Sequence, residues 1–222
     1  MSAGVRNIFA PKSSRILRVL LTDRGRDWSE REIAVAASVS IGMAHYVCKA
    51  LTELGYLARN ESNRIVLIDP VRLLKRWAAY HQYDAVNKFL DYYTFEREIE
   101  KTIGEIAKTY LEYAATVLAG AWLVVPYVRP VDLHFYVPNK ETAEGIAGEL
   151  GLNPIPRGGN IKFVIPYNDG VFYGEREVKG VKVVSNIQLY VDLYNYPARG
   201  EEASSRLFEQ ILEEWSMKRE AK

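Results

Sequence analysis

Hydrophobic residues recur at helical spacing in three segments near the N-terminus, each with polar residues at its start. The first helix is predicted to begin at Ser13 or Ser14, since either can cap it. In the second segment Ser29 is followed three residues later by Glu32, which is the capping-box pattern. This pattern predicts a short second helix that ends at about Ala37.

A third helix is predicted over residues 41–54, with Ser40 as its cap. Gly55 is expected to stop it, and two strands follow at residues 56–59 and 64–68. One face of the helix is apolar and consists of Ala44, Val47, Leu51 and Leu54. The predicted order is therefore three helices and a hairpin.

The rest of the chain alternates between helical and strand-like patterns. Pro70 opens a fourth helix, and residues 84–97 are aromatic without a clear period, which predicts an interdomain connector. Helical patterns follow at residues 98–113, 140–150, 186–194 and 200–215, and strand-like runs at residues 116–119, 131–137, 161–165 and 181–184. We therefore predict an α+β protein, with an N-terminal domain at residues 1–80, a connector at residues 81–97 and an α/β domain at residues 98–222.

Composition adds a difference in charge between the two ends. The 222 residues have a net charge of +1, but residues 1–80 contain 13 Lys or Arg against 7 Asp or Glu, and the remainder contains 16 against 21. This difference favours an anion-binding module at the N-terminus. There is no signal-peptide pattern and no apolar run long enough to span a bilayer, so we expect a cytoplasmic protein without membrane contact. With one cysteine and three histidines, no metal site or cofactor is predicted.

The segment SEREIAVAASVSIGMAHYVCKALTELGYLAR resembles the winged helix-turn-helix superfamily. The resemblance implies binding of double-stranded DNA, with the third helix in the major groove and cationic residues of the wing at phosphates or the minor groove. The candidate DNA-binding residues are Ser40, Ile41, Gly42, Met43, His45, Tyr46, Lys49, Arg59, Asn63 and Arg64.

Other interpretations of these residues stay open. A winged helix can also bind RNA or another protein, and the exposed face of the third helix has no arginine. His45 can be an ordinary solvated residue, and Tyr46 can pack on the wing. Cys48 lies near the apolar face and is expected to be a core residue.

Several segments also resemble the AbiEi-type regulators, the antitoxins of type IV abortive-infection systems. They are DPVRLLKRWAAY, VLAGAWLVVPYVRPVDLHFYVP, GNIKFVIP and VVSNIQLYVDLYNYPARGEEAS. The resemblance implies an autorepressing transcriptional regulator. It also implies that the C-terminal domain antagonises a nucleotidyltransferase-like toxin, without a stable complex between the two proteins.

An alternative is that the C-terminal domain is itself a nucleotidyltransferase. Gly120 followed by Asp132 loosely matches the Gly-Ser and paired-carboxylate pattern of such enzymes, but Ala121 replaces the serine and His134 stands where a second acid is needed. One carboxylate holds Mg²⁺ poorly against a triphosphate. We therefore expect a nucleotidyltransferase-like fold without catalytic activity. Residues 157–160 can form a phosphate cradle, although a turn between strands explains them more simply.

Overall fold

The N-terminal third of the chain consists of helices and a small hairpin. The computed structural model describes residues 7–220, with side chains to residue 217. The first elements are α1 (Pro11–Thr22), α2 (Glu30–Ala36), α3 (Ile41–Glu53), β1 (Leu57–Arg59), β2 (Ile65–Leu67) and α4 (Pro70–Tyr80). Strands β1 and β2 pair antiparallel and are joined by residues 60–64.

The helix starts are set by local hydrogen bonds. The predicted capping box at α2 is confirmed, because the Ser29 hydroxyl accepts from the Glu32 backbone and the Glu32 carboxylate accepts from Ser29 N–H. Ser40 also caps α3 as predicted. The predicted cap of α1 is wrong: the helix begins at Pro11, because a proline at the first helical position loses no hydrogen bond there.

The turn between α2 and α3 changes the chain direction by 113°. Ser38 adopts a left-handed conformation with φ of 51°. Two backbone bonds, from Val39 N–H to Ala34 O and from Ser38 N–H to Val35 O, close the end of α2. This is the Schellman arrangement, so the sharp bend is fixed by backbone bonds.

The remainder of the chain surrounds a seven-stranded mixed sheet. Its helices are α5 (Tyr83–Val86), α6 (Ile99–Lys108), α7 (Val117–Val124), α8 (Lys140–Leu150), α9 (Asn186–Tyr194) and α10 (Gly200–Glu220). Its strands are β3 (Lys88–Tyr93), β4 (Ala114–Thr116), β5 (Leu133–Tyr136), β6 (Asn153–Pro154), β7 (Ile161–Ile165), β8 (Arg176–Val178) and β9 (Val181–Val183). The strand order is β6-β3-β7-β5-β4-β9-β8, which makes the fold α+β.

Three strands of this sheet differ from the predictions. Residues 84–97 are not an irregular connector, because β3 pairs along its length with β7 inside the sheet. Strands β6 and β8 have no counterpart among the predicted strands, since two or three residues are too few to show an alternation. The domain boundaries at residues 80 and 98 stay a prediction.

One predicted strand is largely a helix, and one predicted helix is shorter than expected. A strand was expected at residues 116–119, but α7 starts at Val117, because an apolar run has no period that separates a buried strand from a buried helix. Gly120 allows α7 to lie close to its neighbours, since a Cβ there would be 2.8 Å from the Leu189 side chain. The helix expected over residues 98–113 ends at Lys108, where the chain leaves the helix at Thr109.

A fully buried arginine joins α1 to the C-terminal part. Arg18 is 0% exposed and donates from Nε to Gln188 Oε1 at 2.7 Å and from Nη2 to the Tyr167 hydroxyl at 2.7 Å. Its guanidinium also lies 5.2 Å from the centre of the Trp77 ring. One side chain of α1 therefore contacts both α4 and α9.

The hydrogen bonds continue from Gln188 to a buried carboxylate. Gln188 Nε2 donates to Asp192 Oδ1 at 2.7 Å, and His81 Nε2 lies 3.1 Å from the same oxygen. Thr116 Oγ1, at the end of β4, donates to Asp192 Oδ2 at 2.7 Å. The carboxylate of Asp192 thus has partners on three elements, as a buried charge requires.

Within residues 7–220 no single helix is long and apolar enough to cross a bilayer. Only α2 and α3 taken together reach the length and apolar composition of a membrane-spanning helix, and the two helices are bent at their junction by 113°.

We expect Arg18→Met to destabilise the protein by about 1–3 kcal/mol, because it leaves the buried Gln188 oxygen without its hydrogen-bond donor. Urea denaturation measures the loss. Arg31→Met is the matched control, since Arg31 is exposed and surface substitutions usually change stability by less than about 0.5 kcal/mol. Equal stabilities of the two variants would show that the buried contacts of Arg18 contribute nothing.

Candidate functional site

The N-terminal half of α3 presents part of its surface to solvent. Ile41 is 58% exposed, and Gly42, His45 and Lys49 are also exposed, as is the cap residue Ser40. The opposite face of the helix is buried and consists of Ala44, Val47, Cys48 and Leu51.

Not every residue predicted on the outer face is equally accessible. Met43 and Tyr46 are half-buried and pack against the core. Cys48 is a core residue as expected, and burial raises the pKa of its thiol to about 12. Leu54, predicted on the apolar face, is 45% exposed, because it caps the end of the helix.

The hairpin lies beside α2 and is attached to it by ion pairs. Arg59 Nη2 lies 2.7 Å from Glu30 Oε1, and Arg64 Nη2 lies 2.7 Å from Glu32 Oε2. Arg59 also donates to the Asn63 carbonyl at 2.9 Å, and Asn63 has a left-handed φ of 58°. Both predicted phosphate-binding arginines therefore already have acidic partners.

Glu30 connects the hairpin to α3. Its second carboxylate oxygen lies 3.0 Å from His45 Nδ1, while the first is bound by Arg59. The three side chains form a surface cluster that spans α2, α3 and β1. This arrangement holds the imidazole of His45 with only Nε2 left for an outside partner.

Three exposed cations near α3 have no ion-pair partner within the described residues. They are Lys12, Arg31 and Lys49, of which only Lys49 was predicted as a site residue. Lys12 shares an open groove of about 910 Å³ with Ser40, Gly42 and Met43 at the start of α3. Lys12 was missed because the groove forms only when α1 packs beside the α2–α3 turn.

A second cluster of charged residues lies in the C-terminal sheet. Asp132 precedes β5, and its carboxylate accepts a hydrogen bond from Lys162 of β7. His134 Nε2 lies 3.2 Å from Asp132 Oδ2 and 3.3 Å from the Tyr196 hydroxyl, and its Nδ1 lies 3.0 Å from the Tyr83 hydroxyl. Every titratable atom of this cluster therefore has a partner inside the protein.

This cluster is electrostatically poor as a metal site. Burial raises the pKa of the Asp132 carboxyl, but hydrogen bonds and opposite charge from His134 and Lys162 outweigh it and hold the pKa well below its ordinary value. The ammonium of Lys162 thus lies where a cation would have to bind. Within residues 7–220 no group of three or more His, Cys, Asp or Glu side chains is placed to hold a metal ion.

The predicted turn at residues 157–160 connects β6 to β7 and leaves no free cradle. Gly158 N–H donates to Asp91 Oδ2 at 2.8 Å, so it is not available to a phosphate. A Cβ on Gly159 would lie 2.3 Å from the Tyr92 carbonyl oxygen, because this glycine packs directly on β3.

Comparison with known families gives one match. A family model described as "Transcriptional regulator, AbiEi antitoxin, Type IV TA system" matches residues 66–213. The chain belongs to this AbiEi family. The match begins in β2 and includes the Asp132 cluster and Asp192, whereas α1, α2 and α3 lie before it. No curated protein and no solved structure matches the chain.

The ion pairs of α2 predict a pH dependence of stability. Hydrogen bonds from the Ser29 hydroxyl and backbone and from Arg64 lower the pKa of Glu32 from 4.5 to about 2. A lowered folded-state pKa stabilises the fold above pH 4.5, and this contribution is lost as the pH falls towards 2. We therefore expect the free energy of unfolding of the wild type to fall more steeply over this range than that of Glu32→Gln, which keeps the capping-box geometry.

Chemical denaturation at a series of pH values measures both slopes. Glu213→Gln, at an exposed position without a described partner, serves as the control and should follow the wild type. Wild-type and Glu32→Gln curves that stay parallel down to pH 2 would contradict the assigned role of Glu32.

Proposed function

We propose that this AbiEi-family chain is a transcriptional regulator that binds double-stranded DNA through α3 and the β1–β2 hairpin, as a winged helix-turn-helix. The observation that carries the proposal is the 113° bend between α2 and α3, which leaves the start of α3 exposed. Helix-turn-helix pairs cross at about 90–120°, and a helix has the width to enter the major groove. The family description, which names transcriptional regulators, supports this function.

Base contacts are assigned to the exposed residues at the start of α3, namely Ile41, Gly42 and His45. A Cβ on Gly42 would meet no atom within 4 Å, so this position is open to a base edge. Met43 and Tyr46 can contribute only where their half-buried side chains reach the surface. The absence of arginine on this face favours contacts to methyl groups and single hydrogen bonds over bidentate guanine contacts.

Phosphate contacts are assigned to Lys12, Arg31 and Lys49 because their charges are free. Arg59 and Arg64 have a different role in this proposal. Their bonds to Glu30 and Glu32 position the hairpin, and a phosphate would have to compete with a carboxylate at 2.7 Å for each guanidinium.

We expect Lys49→Ala to weaken binding to every duplex sequence and to reduce the slope of log K against log salt by about 0.9, the value for one neutralised phosphate. His45→Ala should instead change the preference between sequences. Gel-shift titrations with the upstream DNA of the gene and a shuffled duplex, each at several salt concentrations, measure both effects.

Lys108→Ala on α6 is the matched control, since Lys108 is exposed and far along the chain from α3. The full-length chain is used, because removal of residues 1–80 would take Arg18 away from its buried partners. No duplex binding at low salt would refute the proposal. A duplex RNA that binds as tightly would refute major-groove reading, because the major groove of RNA is too narrow for a helix.

We further propose that the C-terminal part has a catalytically silent, nucleotidyltransferase-like fold that antagonises a nucleotidyltransferase-like toxin without forming a stable complex. Support comes from the family description as an antitoxin and from the Asp132 cluster, whose one carboxylate is already neutralised by Lys162. Transfer of a nucleotidyl group needs metal ions at the triphosphate, and one engaged carboxylate cannot hold them.

The absence of nucleotidyltransferase activity is tested by incubating the full chain with labelled nucleoside triphosphates, Mg²⁺ or Mn²⁺ and a tRNA pool. We expect no incorporation above that of Asp132→Ala, and rescue of growth when the chain is co-expressed with a toxin encoded beside its gene. Incorporation that disappears in Asp132→Ala would instead establish an active enzyme.

A further inference from the structure

A cavity of about 480 Å³ opens beside the Asp132 cluster. It lies between the start of α5, strands β3 and β7, the residues before β7, and the segment after α9. Its apolar surface comes from the rings of Phe89 and Tyr196, and His134, 1% exposed, forms part of its polar surface. This volume lies in the range of about 300–1,000 Å³ that small-molecule sites occupy.

One side of the cavity is polar because three polar residues lie next to each other on adjacent strands of the sheet. Asp91 of β3, Lys162 of β7 and His134 of β5 are direct neighbours in register, so their side chains lie on the same face of the sheet. Such a polar row in the middle of a sheet is uncommon in a core that only has to pack. Here it borders a space large enough for a ligand.

Most charges around the cavity are already compensated by the protein. Lys162 donates to Asp132, and Asp91 accepts from the Gly158 backbone. Two groups remain, the carboxylate of Asp84 and the guanidinium of Arg157, which have no hydrogen bond or ion pair within the described residues. The cavity therefore offers one free negative and one free positive charge.

We infer that this cavity binds a zwitterionic molecule of the α-amino-acid class. In this arrangement Arg157 binds the carboxylate, Asp84 binds the ammonium group, and Phe89 and Tyr196 contact an apolar or aromatic side chain. A guanidinium and a carboxylate are the side chains that bind these two groups by charge-assisted hydrogen bonds.

Charge distinguishes this class of ligand from two others. A polyphosphate would meet the carboxylates of Asp84 and Asp91, and a polyamine would meet Arg157 and Lys162. Like charges oppose binding, so neither class fits both sides of the cavity. The inference does not depend on DNA binding, and its test is made without DNA.

The test measures thermal unfolding of the full chain with each of the common L-α-amino acids at millimolar concentration, followed by calorimetric titration of those that stabilise it. We expect at least one aromatic or apolar amino acid to raise the unfolding temperature. Its N-acetyl and carboxamide derivatives, which each lack one charge, should bind at least about tenfold more weakly, which corresponds to loss of one such contact.

Asp84→Asn and Arg157→Gln each remove one of the two free charges. Each variant should bind the stabilising amino acid about tenfold more weakly than the wild type, as expected for the derivatives that lack one charge. Glu213→Gln and Lys108→Gln are the matched controls outside the cavity and should bind as the wild type does. The inference is overturned if no amino acid stabilises the chain, if the cavity variants bind as well as the controls, or if a derivative with one charge binds equally well.

Discussion

The buried guanidinium of Arg18 is the interaction on which the arrangement of this protein depends. A charge without solvent exposure is tolerated only where other interactions replace the lost water. Here Gln188 and Tyr167 accept hydrogen bonds from the guanidinium, which also lies over the Trp77 ring. Gln188 in turn donates a hydrogen bond to the buried carboxylate of Asp192. Since α1 also packs against α2 and α3, this side chain links the exposed helix to the C-terminal part of the chain.

Charged side chains also connect neighbouring elements on the surface of the N-terminal part, where they stay in contact with solvent. Glu30 and Glu32 begin α2, where the helix dipole favours acids, and each also pairs with an arginine of the hairpin. The same carboxylates therefore start a helix and hold a neighbouring element. Such exposed pairs contribute little stability each, but together they limit how far the hairpin can move from α3.

Local signals in the sequence predicted the parts of the fold that local bonds determine. The caps at Ser29 and Ser40 and the stop at Gly55 were found because each depends on residues within one helical turn. Arg18 could not be recognised, since an arginine in an amphipathic helix normally faces solvent. Whether it does so depends on Gln188, which lies 170 positions away.

In the candidate site, too, the features set by local helix geometry were predicted and the contacts between distant residues were not. Periodicity correctly placed His45 and Lys49 outside the apolar face of α3, because both positions follow from helix geometry alone. The pairing of Arg59 with Glu30 depends on the distance between the hairpin and α2, which no spacing along the chain contains. Strand β3 was missed for a comparable reason, since it is flanked by β7 and β6 and its two faces are both partly covered.

The ends of the sheet have a consequence for assembly. At one edge β6 has only two residues and includes Pro154, which has no backbone donor, and at the other edge β8 has three residues that include Arg176 and Glu177. Short, charged or proline-containing edges resist the addition of a further strand. The sheet is thereby protected from edge-to-edge aggregation between folded copies of the chain.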